Sequence, residues 1–371
     1  MASHQTARGG SAGEGTFSRV QRVALLVLAL LLAWVARDLI LLLFAGVLLG
    51  VFLRTLSVFI AERTTLSTGW SLLIVIGLLL ALAVVAGALF APRLAEEARA
   101  LSQSLPQAAS RLVERVRETT FGGWVLEQIG GATPQDHQDT LTEQATGAAR
   151  KVLDGVVAFG IILFTGLYLA AAPAPYLRGV LLLVRPERRR RAAEALFAAG
   201  YTLRWWILGQ LLSMTVVGLM MGIGLALIGV PLAFALGVLA GLFEFIPTIG
   251  PIFGLLPALL LALADDPTKA LYVLALYSVV QTLESYLLTP LVQERVLDLP
   301  PVVTIATQVL FAWTLGPVGL LIAVPFVAVV MVLVQMLYVK DFLGEPMHLT
   351  AEEEARRELG ESDFVRDLAG V

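Results

Sequence analysis

Residues 243–257 read FEFIPTIGPIFGLLP. The stretch is apolar enough to sit in a bilayer, yet Pro247, Pro251 and Pro257 interrupt it, with Gly250 and Gly254 between them and Glu244 just ahead. A proline lacks a backbone donor and clashes with the carbonyl four residues back, so a regular helix cannot run through the segment. In hydrocarbon each freed carbonyl, and the carboxylate too, is costly unless a partner is supplied. Such a helix needs protein or a wet cavity beside it.

The surrounding composition puts the segment in a membrane. The 371 residues are 58% hydrophobic and 15% charged, with a mean hydropathy of +0.83. A soluble domain is nearer half apolar and a quarter charged, so an all-α polytopic membrane protein is expected, with the lipid bilayer as its first partner. Net charge is −3, which gives no reason to expect a nucleic-acid partner. Cysteine is absent, excluding disulfides, thiol catalysis and thiolate metal sites. His4, His137 and His348 all lie in polar stretches, so no imidazole serves the membrane interior. Neither a cofactor nor a metal site is expected.

Spans need roughly 20 apolar residues. Outward from the opening stretch, the expected layout is a disordered cytoplasmic start (1–19) and three spans within 20–92, at about 20–36, 39–60 and 70–92. An extracytoplasmic amphipathic helical region (93–151), a span (152–172) and a basic cytoplasmic loop (173–203) follow. A transport core (204–339) and a charged cytoplasmic tail (340–371) complete six to eight transmembrane segments. Arg19 and Arg22 ahead of Val23–Ala36 imitate a signal peptide, but no small-x-small site follows, so a retained segment is expected. RPERRRRAAE in 173–203 is the densest basic cluster and places that loop, and both termini, inside. In the outer region Leu94, Ala98, Leu101, Leu105, Ala108, Leu112 and Val116 form one helical stripe, interrupted at Pro106. It suits a helix packed on a neighbour or on the membrane; a gate or oligomer contact is the alternative. Thr350–Glu353 resembles a capping box opening a short, solvated tail helix.

The opening stretch has an echo. FIPTIGP at 245–251 and FAWTLGP at 311–317 share Phe, Thr, Gly and Pro at one spacing. Each lies in an apolar region too long for one comfortable span, and each follows an ordinary span, 204–228 or 268–289. Two span-plus-hairpin units entering from opposite sides fit this pattern, and interrupted helices at matching positions point to a transport site. One kinked span per region is the competing reading. The two differ on the sides of Asp265–Asp266 and of Gln293–Glu294–Arg295.

Two carboxylates stand near these breaks: Glu244, and Glu284 in VVQTLESYLLTP. Gln281 shares a helix face with Glu284. Gln210 belongs to the preceding unit, and Gln308, Thr304 and Thr307 to the second broken region. An intramembrane carboxylate is a functional candidate by default, able to hold a proton or exchange it for a cation or polar solute. The bland alternative is that each carboxyl ties up freed carbonyls, and that Gln210 and Gln335 are interhelical glue. Backbone opened around Pro247, Gly250, Pro251 and Gly254, and around Gly316, Pro317 and Pro325, would supply neutral oxygen ligands. Arg295 fits a loop better than an ion pair.

EFIPTIGPIFGLLPA, QTLESYLLTPLV and LGPVGLLIAVPFVAVV, in this order, resemble the AI-2E family of bacterial transporters, also called the PerM-like permeases, over residues 20–340. The resemblance implies an inner-membrane homo-oligomer, a pentamer, associated with export of autoinducer-2 or with sodium- or lithium-for-proton exchange. It puts Glu244, Pro247, Gly250 and Pro251 on one motif, Gln281, Glu284 and Pro290 on a second, and Gly316, Pro317 and Pro325 on a third. Thr248 departs from the aromatic residue many members carry there, which bears on ligand identity. The expected function is secondary transport of a small polar metabolite or signal, coupled to an ion or proton gradient. Sodium–proton or lithium–proton antiport and a non-transporting scaffold are the alternatives. An enzyme is disfavoured, because no Gly-x-Ser-x-Gly motif or intramembrane histidine is present.

Overall fold

The computed structural model describes residues 36–117, 141–288 and 300–361. Outside them lie the expected first span apart from Ala36, the N-terminal segment, residues 118–140 of the outer region, Pro290, Gln293–Glu294–Arg295 and the end of the tail. Every regular element among the described residues is helical: α1 Arg37–Ala61, α2 Thr68–Arg117, α3 Leu141–Ala171, α4 Pro173–Leu182, α5 Arg189–Ile228, α6 Ala233–Phe243, α7 Gly250–Asp265, α8 Pro267–Leu283, α9 Pro301–Leu333 and α10 Thr350–Glu361. A π-helical turn extends α8 over Glu284–Leu288, and another extends α9 over Val334–Lys340. By length and composition four described helices can cross a membrane, or five if the bent pair α3–α4 is one span. The chain is an all-α polytopic membrane protein.

Small residues set the closest helix contacts. A Cβ added at Gly46 of α1 would stand 2.6 Å from Thr165 Cβ of α3, and one at Gly166 would meet Leu49. The crossing of α5 and α6 is tighter: a Cβ at Gly237 would fall 2.5 Å from Gly222 Cα, and one at Gly241 2.7 Å from the Met214 carbonyl. Gly218 and Gly222 thus face Gly237 and Gly241, two Gly-x-x-x-Gly pairs letting backbones touch. In lipid, where apolar burial gives little drive, such close packing holds helices together.

The outward surface explains itself by solvent. Leu78, Leu80, Leu82, Val84 and Leu89 of α2 are all exposed, as a lipid-facing wall requires. Helix α2 then continues, unbroken, through Pro92 and Pro106 to Arg117, so the expected interruption at Pro106 does not occur. Pro106 and Ser102, whose carbonyl loses its donor, are exposed, and water can take the lost bond. The basic segment 173–203 is likewise helical and not an irregular loop: α4 leaves α3 at 92°, and α5 begins at Arg189.

Both broken regions fold back. In the first, Lys269 Nζ bonds the Gly229 carbonyl at 3.3 Å and Asp265 Oδ2 at 2.7 Å, so the start and end of the α6–α7 pair lie together. In the second, the rings of Phe311 and Phe326 are 5.3 Å apart, whereas fifteen residues of straight helix would separate them by about 22 Å. The reversal is at Gly316, φ 65° and ψ −153°, a conformation essentially confined to glycine. The two hairpins are unequal: the second has a short arm, Pro301–Thr314, and a span-length arm, Gly316–Lys340.

The outer stripe finds its neighbour in the first hairpin. Leu101, Leu105 and Ala108 pack with Leu236, Ala240, Leu261 and Ala262, and Glu97 Oε2 accepts from the Ala235 backbone N–H at 2.8 Å, capping α6. The C-terminal helix is docked, which corrects the expectation of a solvated appendage. Leu349, Ala351 and Ala355 are buried with Ala195, Ala198, Val332 and Met336, because one face of α10 is apolar and the facing turn of α5 is lined with alanine.

Candidate functional site

Polar groups gather where the tip of the first hairpin meets its neighbours. Between α6 and α7 the backbone leaves the helix over Glu244–Ile249, and Thr248 takes φ 73°, costly for a β-branched residue. The turn frees carbonyls, and glutamines take two of them. Gln210 Nε2 of α5 donates to the Glu244 carbonyl. Gln308 Nε2 of α9, fully buried, donates to the Pro247 carbonyl at 2.8 Å. Gly250 lets the chain re-enter a helix: a Cβ there would stand 1.8 Å from the Phe243 carbonyl oxygen.

The Glu244 side chain points elsewhere. It is 4% exposed, and its Oε2 has no hydrogen-bond partner among the described residues. With Gln281, Tyr277, Pro251, Gly254, Val217 and Met221 it lines a cleft between hairpin, α5 and α8, with room for about one water molecule. Gln281 Oε1 is also buried without a partner. Glu284 lies close enough for its charge to act on Glu244, and Ser213 Oγ approaches its Oε1 at 3.5 Å. A carboxylate, an amide oxygen and a phenol thus converge on one small space.

The expected site residues divide by position. Glu244, Gln281, Pro251 and Gly254 line the cleft, and Glu284 adjoins it. Gln210, Gln308, Pro247 and Gly250 shape the hairpin tip. The carbonyls captured there belong to Glu244 and Pro247, while Gly250 and Pro251 begin a helix. Thr304 and Thr307 turn their hydroxyls to carbonyls of their own helix, Pro300 and Val303. Gly316 and Pro317 form the second tip, and Pro325 is buried within the following arm. Tyr277 and Ser213 were not foreseen. Tyr277, Gln281 and Glu284 recur at i, i+4 and i+7, as Gln210, Ser213 and Val217 do at i, i+3 and i+7, so helical spacing from the known polar residues would have found both.

The order of these parts along the chain is matched by a family profile: that of the AI-2E family transporters covers residues 23–338. The chain belongs to the AI-2E transporter family. It is similar to the Bacillus subtilis protein YrrI, 30% identical over 52% of this chain and 54% of the relative. The AI-2 transport protein TqsA of Escherichia coli is 33% identical over 31% of this chain and 34% of its own length. A transport-protein relative from Thermotoga maritima is 23% identical over 84% of this chain and 93% of its own. The chain thus spans about half of YrrI and a third of TqsA in these matches. As an AI-2E family member with several span-length apolar helices it is a multi-pass membrane protein.

Proposed function

We propose that this AI-2E family member moves a small polar solute of the autoinducer-2 kind across the bacterial inner membrane, coupled to a proton or ion gradient at Glu244. The observation that carries the reading is the Glu244 carboxylate, buried at a hairpin tip with one oxygen unpartnered and facing the cleft. A carboxyl held there exchanges a proton with whatever enters, while Gln281 and Tyr277 offer neutral hydrogen-bonding groups. Glu284, steadied by Ser213, is the second carboxylate of the relay. Alternating exposure comes from movement of the hairpins against the spans that flank them. The proposed assembly is a homo-oligomer, by family resemblance a pentamer.

A second reading, sodium–proton or lithium–proton antiport, is favoured by one observation: the cleft has room for about one water molecule, a size closer to a cation than to an organic signal. Both are tested in proteoliposomes with a trapped pH dye and labelled autoinducer-2. The first predicts solute flux driven by an imposed pH gradient and lost in Glu244→Gln. The second predicts proton movement under a sodium or lithium gradient without solute. A folded wild type that does neither sinks both and leaves the scaffold.

A further inference from the structure

Helix α4 lies at 92° to α3. Val156, Val157, Phe159 and Phe164 give α3 an exposed apolar wall of its own. With α3 alone as the crossing element of the bent pair, a helix set at this angle runs in the membrane plane, at the level where the crossing ends. Two sides of α4 are apolar. Leu181 is buried with Ala193 and Leu359, so one side is docked on α5 and α10. Tyr176, Val180 and Leu183 recur at i, i+4 and i+7 on another side, all exposed, Leu183 at 89%. That stripe is aligned along one line of the helix surface.

Arginines follow at once. Arg185, Arg188, Arg189 and Arg190 stand with Glu187 as the only acid among them. Arg189 Nε donates to the Val184 carbonyl and closes the turn behind α4. Arg185 and Arg188 are exposed, and the Arg190 side chain is 83% exposed although its Nε lies 3.7 Å from Glu194. An in-plane helix with an outward apolar line and a cationic turn at its end matches a membrane surface whose headgroups are negative.

We infer that α4 and the arginine turn form an interfacial foot that binds the headgroups of anionic phospholipids. Tyr176, Val180 and Leu183 enter the acyl boundary, and Arg185, Arg188 and Arg190 hold the phosphates by charge-assisted hydrogen bonds. Through Leu181 the foot bears directly on α5 and α10, so the lipid contact braces the base of α5, the 40-residue helix on which the first hairpin packs.

The chain has no cysteine, so Leu183→Cys creates a single labelling position in the full chain. A bimane there is read in vesicles mixing phosphatidylcholine and phosphatidylglycerol, with bromine on the acyl chains of one lipid or the other. Brominated phosphatidylglycerol is expected to quench at least about twofold more than its mole fraction predicts. Adding Arg185→Gln, Arg188→Gln and Arg190→Gln should abolish that excess while quenching by brominated phosphatidylcholine remains. Quenching in proportion to mole fraction before the arginines are changed, an excess that survives their removal, or a label reached by aqueous iodide and by neither lipid overturns the assignment. Transport is not read, so the outcome is independent of the solute proposal.

Discussion

The side-chain amide of Gln308 and the backbone carbonyl of Pro247, 61 residues apart, are joined at 2.8 Å. The bond ties the short arm of the second hairpin to the tip of the first, so neither broken element is positioned alone. Gln308 is fully buried and Pro247 half-buried, and the carbonyl, outside the helical ladder, accepts the Ile249 N–H at 2.9 Å as well.

Gln308→Leu removes one of the two donors on the Pro247 carbonyl, the Ile249 N–H remaining, and should lower stability by about 0.5–1.5 kcal/mol. Gln308→Asn, too short to reach, should lose a similar amount. Thermal unfolding in detergent measures both. Proteoliposome flux should fall further than stability explains, because the tip that carries Glu244 is no longer held.

Gly250 and Gly316 should fail for different reasons. At Gly250 the obstacle is space, since a Cβ would overlap the Phe243 carbonyl. Gly250→Ala should be among the most damaging small substitutions in the chain, read as loss of folded protein by size exclusion. At Gly316 nothing lies within 4 Å of the added carbon, and only the backbone angle objects. Gly316→Ala should fold and lose about 1–3 kcal/mol.

These two glycines also mark what could be read from the sequence. Pro247, Gly250 and Pro251, and Gly316 and Pro317, forecast both breaks, because the missing donor and the φ restriction are local properties, whereas Pro257 and Pro325 are accommodated inside continuing helices. The pairing of Gln308 with Pro247 was hidden, because it depends on how two distant hairpins lean together. Gly218, Gly222, Gly237 and Gly241 stand in the sequence as two Gly-x-x-x-Gly pairs, but the spacing alone does not say that these two helices meet there. Docking of α10 was missed for a third reason. Glu352 looks like a solvated charge until Arg191, 161 residues away, and Lys340 are brought to it.

Glu97 should behave as a cap. Its carboxylate accepts from the first turn of α6, so Glu97→Ala should cost about 1 kcal/mol and speed amide exchange over residues 233–243. Glu97→Gln keeps an acceptor oxygen and should restore most of that protection.

Glu352, 2% exposed, should give docking of α10 a defined pH dependence. Burial pushes its carboxyl up, but hydrogen bonds from Lys340 and Arg191 outweigh this and hold it below the usual range. A depressed folded value means the contribution is complete above the ordinary carboxylate value of about 4.3 and is lost as pH falls through the folded one. Protection of residues 350–361 from proteolysis by pepsin or exchange should hold from neutral pH to about 4.3 and then decline. Glu352→Gln should flatten that decline and weaken docking at neutral pH by about 1.5–3 kcal/mol.

The length of α2 has a mechanical meaning. Fifty residues of helix extend about 75 Å, more than twice the hydrocarbon thickness of a bilayer. The rod is fastened to the first hairpin from Glu97 to Ala108, nine residues before its described end at Arg117. It works as an oar in a rowlock: a tilt of about 5° at that fastening sweeps the Arg117 end through about 1.2 Å, given the helical rise of about 1.5 Å per residue. The proposed rocking of the hairpin would thereby carry along α2 beyond the length that a bilayer's hydrocarbon can cover.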